Sequence, residues 1–261
     1  MRTLERRQLL FAGAATLLGR KLFAQADRAA LIEDLVAANH ILYAQNIVDA
    51  FGHVSVRTAP GAERYLISRS LAPAQVTAAD VVEYDLDSKP ISDTRTSYRE
   101  RFIHGEVYRA RPDVMSVVHC HAPSLIPFGI TKVPLRPVYH NSSFIGEGVP
   151  VFEIRDTAGD TDMLIGTSEL GRALAKVLAN KPAVLMRGHG AVIVGKTIMD
   201  AVARSVYLEV NARVQAQAMA MGQRINYLSD GEVKKRAAAD EYGRAWDLWK
   251  RQATLQTAAS K

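Results

Sequence analysis

At 261 residues with 48% hydrophobic side chains, the chain is long enough to bury one full core, and no internal repeat, low-complexity tract or heptad series divides it. Its formal net charge of +6 is concentrated at one end: residues 1–26 hold five Lys/Arg against one Glu, and without them the charge falls to +2, which removes the case for a nucleic-acid partner. A single cysteine, Cys120, excludes an intramolecular disulfide.

In chain order, Arg6-Arg7 precede a short apolar stretch ending before Arg20-Lys21, and Ala24-Gln25-Ala26 supplies an A-x-A cleavage signature. The pattern predicts a twin-arginine signal over residues 1–26 and a mature chain from Asp27 to Lys261. It also predicts a periplasmic location with no stable membrane anchoring after cleavage. A basic amphipathic helix packed on the domain or on a membrane is the alternative. Apolar residues at helical spacing predict a first helix over about Ala29–Asn46. Strands are expected at His53–Arg57, Tyr65–Ser68 and Val81–Leu86, separated by Pro/Gly-containing or polar turns. A helix should start near Glu100 and run to about Ala110, followed by a strand whose β-branched run Ser116-Val117-Val118 leads into His119 and His121. Val149–Ile154 reads as a strand and Thr167–Ala179 as a helix. Two apolar strands then flank Gly188-His189-Gly190, before helices over Thr197–Met221 and Glu232–Thr254; the last carries Tyr242, Trp246 and Trp249. No Gly-x-Gly-x-x-Gly turn supports a dinucleotide fold.

His119 and His121 are the most informative pair. Strand residues i and i+2 share a face, so both imidazoles can point to one ion while Cys120 points away. Two hydrogen-bonded surface histidines would give the same sequence. His189, held between two glycines at a bend, is a third candidate ligand. Glu100 is the fourth, and three neutral imidazoles with one carboxylate form a divalent-metal set that leaves positions open. His104 lies one helical turn beyond Glu100, a place for packing or for hydrogen bonding to a site residue. His40 has no evident role.

These residues in this order resemble the class II aldolase/adducin family. The resemblance rests on Glu100-Arg101-Phe102-Ile103-His104, Arg111-Pro112-Asp113 leading to His119-Cys120-His121, and Arg187-Gly188-His189-Gly190, and covers roughly residues 30–225. It implies a three-layer α/β/α sandwich around a largely antiparallel sheet, commonly a homotetramer with the site near a subunit boundary. It also implies one divalent metal per subunit on Glu100, His119, His121 and His189, with zinc, manganese or cobalt ahead of iron.

The chain departs from the sugar-phosphate aldolases of the family. Tyr98 and Arg99 replace the small residues before the glutamate, Gly52-His53 replaces a Gly-Asn pair, and Ser68-Arg69-Ser70-Leu71 replaces a glycine-containing phosphate turn. An arginine fork suits a planar carboxylate. Phe51–Arg57, Glu100–Glu106 and Arg136–His140 are similar to the branch containing hydroxy-methylpyridine-dicarboxylate decarboxylase. The implied activity is metal-dependent decarboxylation of a hydroxylated aromatic or heteroaromatic acid, a step suited to aromatic catabolism. His140 is then the candidate proton donor, and His53, Arg99, Arg69 and Tyr98 are candidates for binding substrate. Retro-aldol cleavage of a non-phosphorylated hydroxy-keto acid, and a non-catalytic adducin-like module, are the alternatives.

Overall fold

Residues 27–237 and 241–259 are described by a computed structural model; the expected export signal over residues 1–26 lies outside them. The first helix, α1, runs over residues 27–44 and turns Leu35, Ala38, Ile41 and Leu42 onto the core at spacings of three and four. Three short strands follow, β1 (His53–Arg57), β2 (Arg64–Ser68) and β3 (Val81–Asp85). A single 3-10 turn at Arg99–Arg101 leads into α2 (Phe102–Ala110), then β4 (Ser116–Cys120) and α3 (Ile126–Ile130). The chain continues through β5 (Val151–Phe152), α4 (Arg155–Ala158) and α5 (Ser168–Leu178). It ends with the hairpin β6 (Ala183–Met186) and β7 (Gly190–Gly195), followed by α6 (Ile198–Ala220), α7 (Asp230–Ala237) and α8 (Gly243–Ala259).

Among the described residues the strands form one seven-stranded sheet in the order β3-β2-β1-β4-β7-β6-β5, antiparallel throughout except for the β5–β6 pair. Alternation along each strand builds two separate cores. Val54, Val56, Val118, Cys120, Ala191 and Ile193 pack with α1, α6 and α8 on one face. Val117, Val192 and Val194 pack with α2 and α5 on the other. The result is the expected three-layer α/β/α sandwich. β1 and β4 pair so that His53 lies directly across from His119, and both point to the α2–α5 side. Two buried apolar layers therefore clamp a strand pair whose polar residues share one face.

Two elements differ from the sequence expectation. The strand expected at Val149–Ile154 is only Val151–Phe152. Pro150 at its start accepts from Leu185 N at 2.8 Å, and Ile154 already has helical geometry as the cap of α4. The helix expected over Glu232–Thr254 is two helices, α7 and α8. Glu241 and Tyr242 are non-helical, and Tyr242 is buried with its ring 6.0 Å from Tyr207, just before the poor helix former Gly243. α8 packs on its own core through Trp246 and Ala253. Elsewhere the ends agree closely: Thr167 and Thr197 are caps that accept from Leu170 N and Asp200 N, one residue before α5 and α6 begin.

Candidate metal centre

Glu100, His119, His121 and His189 converge at one end of the sheet, with ligand atoms all within 4.8 Å of one another. His119 is the penultimate residue of β4, and His121 lies just beyond the strand end. His189 sits in the β6–β7 bend. There Gly188 takes φ +62°, a left-handed geometry, while Gly190 is needed for space: a Cβ on it would lie 2.0 Å from the Cys120 carbonyl oxygen. Glu100 occupies the 3-10 turn before α2 with non-helical φ −88° and ψ 19°, and so departs from the helical start expected there.

The tautomers fit a cation. His119 Nδ1–H donates to the Ala191 carbonyl at 3.2 Å, and His189 Nδ1–H donates to the Met163 carbonyl at 3.1 Å. Both rings therefore present Nε2 lone pairs inward. His121 Nε2 lies 3.1 Å from each of those nitrogens, and Glu100 Oε2 lies 3.3 Å from His119 Nε2 and 3.5 Å from His189 Nε2. Converging lone pairs beside a carboxylate are a set of donors suited to one divalent cation. Glu100 Oε1 is braced by the Ile165 amide at 2.9 Å. Burial works to raise the Glu100 carboxyl, but in the absence of a cation the imidazolium forms of His119 and then His189 outweigh it and hold it well below the usual range, the same demand for positive charge that a metal ion would meet. Burial, then His119 and His189, pushes the His121 imidazole down to about 4.

A cavity of about 480 Å³ opens over this cluster. Phe51, Leu71, Ala72 and Leu164 give it apolar walls, and His53, Tyr98 and Arg99 line it with Glu100, His121 and His189. The cavity thus brings together three of the substrate-binding candidates. Arg99 is mostly exposed and pairs with Asp162 at 2.6 Å. Tyr98 holds its ring 4.5 Å from that of His53 at a 40° tilt, donates its hydroxyl to the Leu71 carbonyl and accepts from Ser68 Oγ at 2.9 Å. Its hydroxyl braces the wall, so the ring is the part that faces the site.

The other two candidates lie elsewhere. Arg69 is outside the lining and binds Asp80 at 2.7 Å, in a knot that Thr77 completes through its amide and hydroxyl. His140 is exposed on the 3-10 turn His140–Ile145, with its ring against Tyr139, and does not line the cavity of its own chain.

Sequence reasoning missed the apolar walls and the loop that supplies Met163, Leu164 and Ile165. That loop is polar and irregular, but Met163 takes φ 68°, a strained geometry for a non-glycine residue that aims its carbonyl at His189. The exposed Phe51 beside Gly52-His53 was a usable signal. Behind the cavity His104 is fully buried and hydrogen-bonds both His53 and Ser55, the role expected for it, and His40 bonds the Val76 carbonyl at 2.9 Å. Cys120 is a buried strand residue whose thiol burial pushes up to about 11.

Comparisons with known proteins agree with this geometry. The class II aldolase and adducin N-terminal domain matches residues 33–216. The decarboxylase tropJ of Talaromyces stipitatus is 34% identical over 247 residues, covering 85% of this chain and 93% of that protein. The 3,4-dihydroxyphthalate decarboxylase of Arthrobacter keyseri is 24% identical, covering 77% of this chain and 84% of that protein. In fold, the chain is similar to the crystal structure of an aldolase II superfamily protein from Pseudomonas syringae. The TM-score is 0.74 at 23% identity, with 88% of this chain and 94% of that chain covered.

Proposed function

Because this chain belongs to the class II aldolase and adducin family, on the side of its decarboxylases, we propose that it is a divalent-metal-dependent decarboxylase of hydroxylated aromatic or heteroaromatic carboxylic acids. The observation that carries this reading is the placement of the Glu100, His119, His121 and His189 donor set under a cavity with apolar walls and the cationic Arg99 at its edge. Phe51, Leu71 and Leu164 suit a flat ring, and His53 and Arg99 suit its carboxylate. The name of the 3,4-dihydroxyphthalate decarboxylase compared above supports the same substrate class, and that of the decarboxylase tropJ supports the reaction type.

Loss of carbon dioxide from a ring carbon leaves an electron pair that must move onto an adjacent oxygen until a proton arrives. A divalent ion on the four ligands would supply Lewis acidity for that oxygen. The protein's own part is to hold the acid in the cavity, keep the ring on the apolar walls and orient the carboxylate through His53 and Arg99. Water in the open cavity then supplies the proton. His140 serves only if a neighbouring subunit of the expected tetramer brings it across, since it does not line its own chain's cavity.

The test is carbon dioxide release from ortho-hydroxylated aromatic acids, assayed beside aldehyde release from sugar phosphates. Carbon dioxide without a carbonyl fragment is expected, and Arg99→Ala should lower kcat/KM roughly tenfold with bound metal retained. Aldol cleavage of a sugar phosphate indifferent to Arg99→Ala would overturn the reading, as would absence of turnover across the acids.

A further inference from the structure

β4 and β7 carry the metal-ligand candidates at one end of the sheet, and a second cavity opens at the other. It has a volume of about 410 Å³, and Arg111, Asp113, Phe144, Pro182, Lys196 and Arg204 line it. β7 spans Gly190 to Gly195 between the two ends, which sets the cavity about 16 Å from His189. No residue is shared between this cavity and the metal centre.

Three cations and one carboxylate face this space, and the carboxylate is already engaged. Arg111 Nε and Nη2 each donate to Asp113 at 2.7 Å, and Nη1 donates to the Ala179 carbonyl at 2.7 Å. These two side chains answer each other's charge and form a fixed wall. Asp200, the acid in the first turn of α6, lies outside the lining.

Lys196 and Arg204 are different. Among the described residues neither forms an ion pair. Arg204 Nη1 donates to the Val194 carbonyl at 2.9 Å, and the guanidinium lies 5.6 Å from the centre of the Phe144 ring. Its Nε is buried with no hydrogen-bond partner. A cation so poorly compensated away from water is costly, and a nearby anion relieves that cost. Lys196 is exposed and brings a second unanswered charge to the same cavity.

We propose that this cavity binds the dianionic phosphate group of a small organic ester, held between Lys196 and Arg204. Two uncompensated cations match a dianion better than a carboxylate monoanion. Phe144 and Pro182 leave apolar room beside the cations for the group that carries the phosphate. The site is independent of the decarboxylase reading, since it lies on other residues.

Calorimetric titration of the full chain with phenyl phosphate, inorganic phosphate and benzoate tests this. One phenyl phosphate per subunit should bind even after chelation, which separates this site from the metal centre. Inorganic phosphate should bind more weakly, and benzoate more weakly still. Arg204→Met should weaken phenyl phosphate roughly ten- to a hundredfold. Lys196→Gln, at an exposed position where folding is unaffected, should weaken it roughly fivefold and reduce its salt dependence. The proposal is overturned by equal affinity for benzoate, by binding that Lys196→Gln and Arg204→Met both leave unchanged, or by no binding of phenyl phosphate at millimolar concentration.

Discussion

His119 and His189 each commit Nδ1–H to a backbone carbonyl, and that commitment turns the Nε2 lone pairs of two ordinary imidazoles inward, where they could hold a cation. The carbonyls come from different places, Ala191 in β7 and Met163 in the loop before α5, so the tautomers are set by the fold rather than by the histidines' neighbours in sequence. Burial of imidazoles also has a cost that pH reveals. His104 falls from 6.5 to about 3 and His121 from 6.5 to about 4 on folding, with burial the largest cause for each. The unfolded chain therefore binds protons in this window that the folded chain refuses, and stability rises with pH. The contribution is complete above pH 6.5 and is lost as pH falls toward 4 and then 3. Denaturant unfolding of metal-free protein should show a falling midpoint from pH 6.5 downward, with a shallower fall in His104→Leu. Identical pH dependence in both proteins would remove His104 as a cause.

At the scale of elements, the site is a property of strand ends. β4 and β7 lie side by side with Cys120 opposite Ala191, and this register sets His189 against His119 and His121. Gly190 makes that approach possible. A Cβ there would stand 2.0 Å from the Cys120 oxygen, which is backbone and cannot swing aside. Gly190→Ala should therefore push β7 away from β4 and destabilise the fold by about 1–3 kcal/mol, read from the denaturant midpoint. It should also weaken metal binding more than its stability loss alone would, because His189 moves with the bend. Unchanged stability and metal content would show that the strands can part freely.

Across the whole molecule, alternation and glycine placement made most of the architecture legible in advance. Val117 and Val118 point to opposite cores, as a strand between two helical layers demands, and Thr167 and Thr197 mark helix starts by their own hydrogen-bonding chemistry. The four metal-ligand candidates were readable because histidine and glutamate types in that order are restrictive. The substrate side was less readable. Arg69 and Arg99 carry the same charge, yet Asp80 holds one outside the cavity lining and Asp162 holds the other at its rim. His140 is placed by the packing of its turn on α6 and α7, and the division of the C-terminal helix by Tyr242 seated against Tyr207 of α6, long-range contacts to which Gly243 was the one local clue. Phe51, Leu71 and Leu164 meet only after the sheet has formed, and a wall assembled from three loops has no periodicity to detect.

Metal dependence of carbon dioxide release is the most direct measurement of the proposed activity. Chelation at neutral pH should abolish release from an ortho-hydroxylated aromatic acid while the protein stays folded. About one equivalent of zinc, manganese or cobalt per subunit should restore it in wild type but not in His121→Ala, which lacks one inner ligand. Carbon dioxide released at full rate by folded, metal-free protein would contradict it.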